Sequence, residues 1–478
     1  MPVRFLLAAA LFGVPYASAQ PVRFPSSNNC AMCHGRLSPP ENAAWKEGPS
    51  IAPYALWRDS MMAKAATDPY FLARVRYESQ RAGTAVDAKC LGCHAPAGST
   101  EESVTCSVCH QISDRNLGAR ASFSGNFALS GENRAFGPHL KPFTMPMEHH
   151  TGLTPTHASH ILSAALCATC HTVITHPQGT PEGTEFVEQA PYFEWISSAW
   201  AEEGVACQSC HVERLATAAG EDAASYIAHR PPGGPFPPTK PRTPFGLHLF
   251  VGANYQVPPL LGAEVTARRA AANLTRALSL SAHGSASKGT TVVDVTVVNL
   301  TGHKLPTAYP SRRLWLHVRA FDARGSVIFE SGAWDPNRGE LLAGAEFRPH
   351  LAVVDSPGQV QVYEAEYLDA QRRPTLSLIE AAAYRKDNRI LPRGFDPRRS
   401  EFGARVMPSG TGGDKGFKPG SHVTKYVIQG AAARVEVQAC YQSIKPSHLA
   451  ETGAIKGLRL EPVIAARTEI TLDGVAAR

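Results

Sequence analysis

The second half of the chain alternates apolar and polar positions with a period of two. Thr291 to Asn299 (TVVDVTVVN), Arg313 to Phe321 (RLWLHVRAF), Val360 to Tyr367 and Ala433 to Ala439 follow that pattern, which is how a strand with one covered face reads. Asp322-Ala-Arg-Gly325 follows the second of these and predicts a hairpin turn. An antiparallel β-sandwich over residues 263–478 fits. Residues 20–262 lack this period. Helical patches are expected over Trp57 to Arg81, rich in Ala, Met, Arg and Leu, and over Tyr192 to Glu203. Pro231 to Pro238 (PPGGPFPP) can be neither helix nor inner strand and reads as an extended wrap or linker. The expected fold is therefore multidomain: a mainly helical and irregular segment followed by a sandwich.

Composition narrows the class. With 478 residues, 43% apolar and 18% charged, the chain can form two or three cored domains and is not disordered. The first nineteen residues read as an export signal: Arg4, an apolar run from Phe5 to Val14, then Ala17-Ser18-Ala19 before Gln20. No later run is long enough to span a membrane. The formal charge of +6 comes without a Lys/Arg block of the kind that grips nucleic acid. A periplasmic, secreted or cell-surface protein is expected.

Ten of the eleven cysteines obey one rule. They form Cys30-Ala-Met-Cys33-His34, Cys90-Leu-Gly-Cys93-His94, Cys106-Ser-Val-Cys109-His110, Cys167-Ala-Thr-Cys170-His171 and Cys207-Gln-Ser-Cys210-His211. Chance would give about 0.01 such Cys-x-x-Cys-His matches. Two cysteines three apart lie on one side of a helical turn, where each can form a thioether to one porphyrin. The adjacent histidine then serves as the proximal iron ligand. Zinc knuckles or disulfides would use the cysteines but leave the histidine after every pair unexplained. Five covalently bound haem c groups are expected in residues 20–262. The 16-residue step from Cys90 to Cys106 predicts that the second and third haems are near neighbours. Haem propionates would add roughly ten negative charges, making some Arg and Lys their partners. Cys440 stands outside the motifs, in a strand-like segment, and reads as a lone buried thiol.

Fourteen histidines lie outside the motifs, a surplus that favours bis-histidine iron. His248 sits in the apolar stretch Pro244 to Asn254, His160 seven residues before Cys167, and His150 beside His149. His303 follows a strand between Gly302 and Pro306, which fix its approach, with Arg312 and Arg313 as propionate partners. His139, His157, His176 and His229 are weaker candidates. Met61 and Met62, in Trp57-Arg-Asp-Ser60-Met-Met62, read as helix core, with a thioether ligand to iron as the alternative.

Several further stretches carry a resemblance. They are Ser60-Met-Met-Ala-Lys-Ala-Ala-Thr-Asp-Pro69, Glu188-Gln-Ala-Pro-Tyr-Phe-Glu-Trp195, His248-Leu-Phe-Val-Gly-Ala-Asn254, Gly302-His-Lys-Leu-Pro-Thr307, Tyr309-Pro-Ser-Arg-Arg313 and Lys386-Asp-Asn-Arg-Ile-Leu-Pro-Arg-Gly394. Residues 20–262 resemble the haem core of exported multihaem cytochromes similar to the tetrahaem acceptor of hydroxylamine oxidation. The remainder resembles the β-domain appended to many multihaem cytochromes. The resemblance implies extracytoplasmic electron transfer between redox partner proteins, or to an extracellular acceptor, with His248 and His303 as ligands. It departs in having five motifs rather than four, and in Met62 standing where a Trp-x-x-Ser-x-His pattern has histidine, which makes Met62 the candidate thioether ligand with Met61 as its fallback. No catalytic residue is expected. The alternatives are a reductase of a nitrite-like oxyanion at one open haem, or a structural subunit of an electron-conducting assembly. The absence of any motif ending in lysine weighs against the reductase.

Overall fold

The computed structural model describes residues 24–229, 239–342, 344 and 347–472. The export-signal reading and the Pro231–Pro238 segment lie outside the described residues.

Each motif occupies its own short helix: Ser27–His34, Asp87–His94, Cys106–Cys109, Ala164–His171 and Cys207–His211. Side-chain caps begin three of them, from Ser26, Thr105 and Ser163. Helices this short gain little from propensity and depend on the packing around them.

The stretch expected to be helical from Trp57 to Arg81 is two helices, Pro53–Trp57 and Pro69–Ala82, with turns between. Pro69 disfavours a helical Asp68, so Asp68 becomes a cap, accepting from the Tyr70 and Phe71 amides. Tyr192 to Glu203 likewise divides, into Pro191–Ile196 and Ala199–Glu202. Ser198 donates from its hydroxyl to the Trp195 carbonyl at 2.6 Å, the kind of local bond that competes with a continuing helix.

The strands after residue 277 form two sheets, antiparallel except where Val353–Val354 joins Ser421–Gln429 in parallel. In one, Thr290–Asn299 lies between Leu278–Ser287 and Ser421–Gln429. In the other, Arg313–Phe321 pairs along its whole length with Arg434–Gln442, which pairs in turn with Val463–Thr471. Val293, Val295 and Val297 from the first sheet share one apolar cluster with Leu314, Leu316, Val318, Val435 and Val437 from the second. The hairpin at Asp322 to Gly325 is present, with Gly325 at φ 80°.

Thr290–Asn299 is buried on alternate residues, as its sequence implies. Arg313–Phe321 is buried almost throughout, because Trp334, Leu341, Val360 and Val362 cover its second face around Trp315 and Cys440. The helix Glu264–Ala277, which leads into the first strand, has no counterpart in the strand-only expectation for this segment. None of the described helices is long and apolar enough to cross a membrane.

The motif-bearing segment and the sheets meet through buried charge. Glu194 Oε2 accepts from the Lys304 amide at 2.9 Å and from the Thr307 hydroxyl at 2.5 Å. Lys304 Nζ donates to Asp387 Oδ2 at 2.5 Å, and Arg389 donates to both Asp387 oxygens at 2.7 Å. Lys304, Asp387, Arg389 and Glu194 are each at most 3% exposed, so two cations and two anions balance away from water. Lys304, Arg389 and the buried environment set the Asp387 pKa at about 2: burial raises it, and the two cations more than reverse that.

Asp387→Asn leaves two buried cations facing one carboxylate. It is expected to cost about 3–5 kcal/mol, seen as a lower urea midpoint by circular dichroism. Wild-type stability from this carboxylate should be fully present above about pH 4 and lost as the pH falls through about 2. An unchanged midpoint in the variant would contradict this account of the junction.

Candidate cofactor-binding core

Four of the motif histidines are braced alike. Nδ1 lies 2.6 Å from Ile227 O in His34, 2.9 Å from Ala65 O in His94, 2.6 Å from Phe136 O in His110 and 2.7 Å from Val251 O in His211. A carbonyl can only accept, so Nδ1 carries the proton and Nε2 presents its lone pair. This is the arrangement of a histidine whose outer bond fixes its tautomer for a metal. Phe71 stacks on the His94 ring with centroids 3.9 Å apart, fixing that ring further. The surrounding protein desolvates His171, lowering its pKa to about 4 with smaller contributions from His211, Arg312 and His94.

Two of these rings face a second histidine. His110 and His248 have ring centroids 6.3 Å apart at 18°, and His211 and His303 are 6.4 Å apart at 17°. Two imidazoles bound through Nε2 to opposite sides of one metal, each at about 2.0–2.1 Å, put their ring centres about 6.3 Å apart. His248 and His303 also turn Nδ1 to carbonyls, Gly246 O at 3.0 Å and Lys304 O at 2.9 Å. Desolvation is the first cause that lowers both pKa values to about 4, so both are neutral, the form that binds iron, at neutral pH.

His303 is positioned by the loop after Thr290–Asn299. Asn299 Nδ2 donates to His303 O at 2.7 Å and to Ile390 O at 2.9 Å, while its Oδ1 accepts from the Thr301 amide at 2.8 Å. A side chain at Gly302 would come within 3.2 Å of the Trp195 ring. The close approach therefore favours glycine, since a larger residue would need the indole to shift by a few tenths of an ångström.

The remaining candidates fare differently. His150 Nε2 is 3.1 Å from Asn29 O, beside the first motif, and His160 Nε2 is 2.8 Å from Ile112 O. Each has its outer bond on Nε2, which leaves Nδ1 as the free nitrogen. Met61 packs with Tyr70, Val257 and Ile444, whereas Met62 is half-buried beside Val104, whose amide donates to the Met62 carbonyl. Arg312 donates to Thr307 O at 2.9 Å and acts electrostatically on both His171 and His303. Arg313, the second expected propionate partner, is engaged within the sheet. It is buried, donates to Gln442 Oε1 and Gly339 O, and lies 5.2 Å over the Trp315 ring. As the first residue of a central strand it points into the sheet, one residue out of phase with Arg312.

Thiol contacts order the motifs. Cys30 meets Cys106, Cys93 meets Cys170, and Cys167 meets Cys207, each contact being the first cause of a raised pKa. The third motif lies against the first, and the second against the fourth. Glu102 accepts from the Ser26 hydroxyl and, at 2.8 Å, from the Ser27 amide. That draws the segment before Cys106 onto the first motif helix.

A second cluster lies in the sheets. His350 and His422 both place Nε2 on Asp414 Oδ2, at 3.0 and 2.8 Å. The Asn388 and Gln361 side-chain amides both donate to His350 Nδ1, at 3.1 and 3.2 Å, and their oxygens are held by the Glu364 and Leu351 amides. His350 Nε2 therefore carries the proton and donates to Asp414. It has no lone pair for a metal, and the trio is a hydrogen-bonded clasp.

No protein-family model and no curated protein matches the chain. Among solved structures it is similar to the penta-heme cytochrome c552 from Thermochromatium tepidum, at 20% identity and a TM-score of 0.57, over 94% of this chain and 99% of that one. The two share a fold across almost their whole lengths.

The clasp gives a pH prediction. Burial is the first cause that lowers the His422 pKa to about 4, against about 6.5 unfolded. The unfolded chain takes up this proton first, so stability should fall between about pH 6.5 and pH 4, by roughly 3 kcal/mol at most. In His422→Gln that part of the slope should vanish. Zinc found by elemental analysis of the purified protein, and lost with the variant, would contradict the clasp.

Proposed function

We propose that this chain is a five-haem c-type cytochrome that passes electrons between redox partners outside the cytoplasm, with its haem core in residues 20–262 and a β-sandwich in residues 263–478. The observation that carries the proposal is the spacing of the His110–His248 and His211–His303 rings, which suits one iron between each pair. The five motifs supply thiol pairs on single helical turns, and the shared fold with a penta-heme cytochrome c552 supports the reading. Haem supplies reversible one-electron chemistry at iron.

The chain's own residues do the rest. Cys30 and Cys33, and their counterparts Cys90, Cys93, Cys106, Cys109, Cys167, Cys170, Cys207 and Cys210, would anchor the groups. His34, His94, His110, His171 and His211 would be the proximal ligands. Fixed carbonyls orient the imidazoles, so little reorganisation is needed when the metal changes charge. His248 and His303 would fill the opposite positions at the third and fifth motifs, closing those irons to substrate. Met62, His150 and His160 remain the proposed ligands for the other three, the histidines through Nδ1. A thioether at one iron would raise its potential above its bis-histidine neighbours. Arg312, next to His171 and His303, is the proposed propionate partner.

His248→Ala and His303→Ala, made in the exported holoprotein, test this directly. Each should convert one haem in five from low-spin to high-spin and let it bind carbon monoxide when reduced. A wild-type protein that already binds carbon monoxide at these sites, or variants with unchanged spectra, would overturn the assignment. Loss of a far-red charge-transfer band in Met62→Ala should identify the thioether ligand. Its absence from the oxidised wild type would remove Met62.

A further inference from the structure

The helix Pro69–Ala82 passes over the second motif. Phe71 stacks on His94, and Arg74 and Glu78 follow on the same side of the helix. Arg74 is 4% exposed. Its Nη2 donates to Glu78 Oε1 at 2.5 Å and to Leu376 O at 2.6 Å. Nε and Nη1 are buried without a hydrogen-bond partner, and the carboxylate of Glu451 is 4.0 Å from Nη1, beyond hydrogen-bonding reach.

Two further groups from the sheet-bearing half converge here. Tyr309 lies edge-on to Tyr70 and to His448, with ring centroids 6.0 Å apart in each case. Its hydroxyl lies against the Tyr70 hydroxyl, to which it can donate, and feels the charge of Arg74. His448 is fully buried, with Nδ1 3.1 Å from the Tyr70 hydroxyl and Nε2 unpartnered. When Tyr70 donates to Nδ1, Nε2 carries the proton. Three buried nitrogens, Nε and Nη1 of the Arg74 guanidinium and Nε2 of His448, thus lack a partner at one place, beside the Tyr309 hydroxyl. Buried donors are seldom left unpaired, and such a group points to a bound acceptor.

We propose that Arg74, Tyr309 and His448 form a binding site for one oxyanion of carboxylate size, beside the second motif. Arg supplies two parallel N–H groups suited to a planar oxyanion, and the phenol and imidazole supply single donors. Glu78 is already engaged, accepting from Arg74, from the Ser377 hydroxyl at 2.6 Å and from the Leu378 amide at 3.0 Å, so it does not supply the missing acceptor. Glu188, which acts on both Cys90 and Cys93, has its pKa raised to about 8, first by burial and then by Glu78. It is held neutral at pH 7 and adds no competing negative charge.

The oxyanion has two possible sources with the same chemistry, a propionate of the haem at the second motif or a free anion. The first rests on the proposed function, and the second does not. The test uses the exported holoprotein with its haem content measured by mass spectrometry. Wild type, Arg74→Gln and Tyr309→Phe are each titrated with nitrite by calorimetry, and their haem potentials are measured. Tyr309→Phe keeps the ring and removes one hydroxyl whose neighbour in the fold is Tyr70, so it remains informative if Arg74→Gln fails to fold.

Nitrite binding in wild type, weakened roughly ten- to a hundredfold in the variants, identifies a free anion. No nitrite binding, together with a fall in the potential of one haem in both variants, identifies a propionate. With five haems attached, neither effect in either variant would mean that ordered water alone satisfies these donors, and the site would be overturned. A protein without haem would overturn the proposed function and leave the nitrite arm to decide the site.

Discussion

A buried imidazole can be offered to a metal only if its proton is placed somewhere else. In this protein that condition is met by backbone carbonyls: Ile227, Ala65, Phe136 and Val251 for four motif histidines, Gly246 and Lys304 for His248 and His303. Each bond selects the tautomer, fixes the ring and leaves Nε2 available. The carbonyls come from distant parts of the chain, with His34 and Ile227 lying 193 residues apart. The short motif helices can therefore be correctly presented only when the whole core has assembled.

The loop between the strands Thr290–Asn299 and Arg313–Phe321 extends that dependence to the sheets. His303 reaches the fifth motif, Arg312 stands by the fourth, and Tyr309 lies near the second. Lys304 and Thr307 on the same loop are held by Glu194, and Lys304 also by Asp387, in a balanced buried network. Breaking such a network costs more than forming it gains, because a lone buried charge remains. The sheets are thus a clamp for the core and bring His303 opposite His211.

Much of this was legible beforehand. Period-two segments gave strands close to their observed limits, because a half-covered sheet imposes alternation on its sequence. The five motifs identified themselves, since thioether chemistry dictates both spacing and residue type. The segments that carried the family resemblance contain Glu194, Lys304, Thr307, Asp387 and Arg389, the residues of the buried junction. Other features had no local signature. Nothing near Arg313 announces that its outer face is covered by residues some twenty to fifty positions later, so its side chain could not be assigned to the sheet rather than to a propionate. The order of the motifs follows from Glu102 capturing the first motif helix, a contact 75 residues long. The carbonyls that brace the imidazoles leave no trace at all, because every residue has one. His150 and His160 showed the complementary limit: their positions could be argued, but not which nitrogen would be free.

The central claim is that irons stand between defined imidazole pairs. Anomalous diffraction from crystals of the exported protein at the iron edge tests it most directly. The account predicts five iron peaks, one midway between His110 and His248 and one midway between His211 and His303. A map without iron, with zinc at the cysteines, or with iron away from both pairs would contradict it.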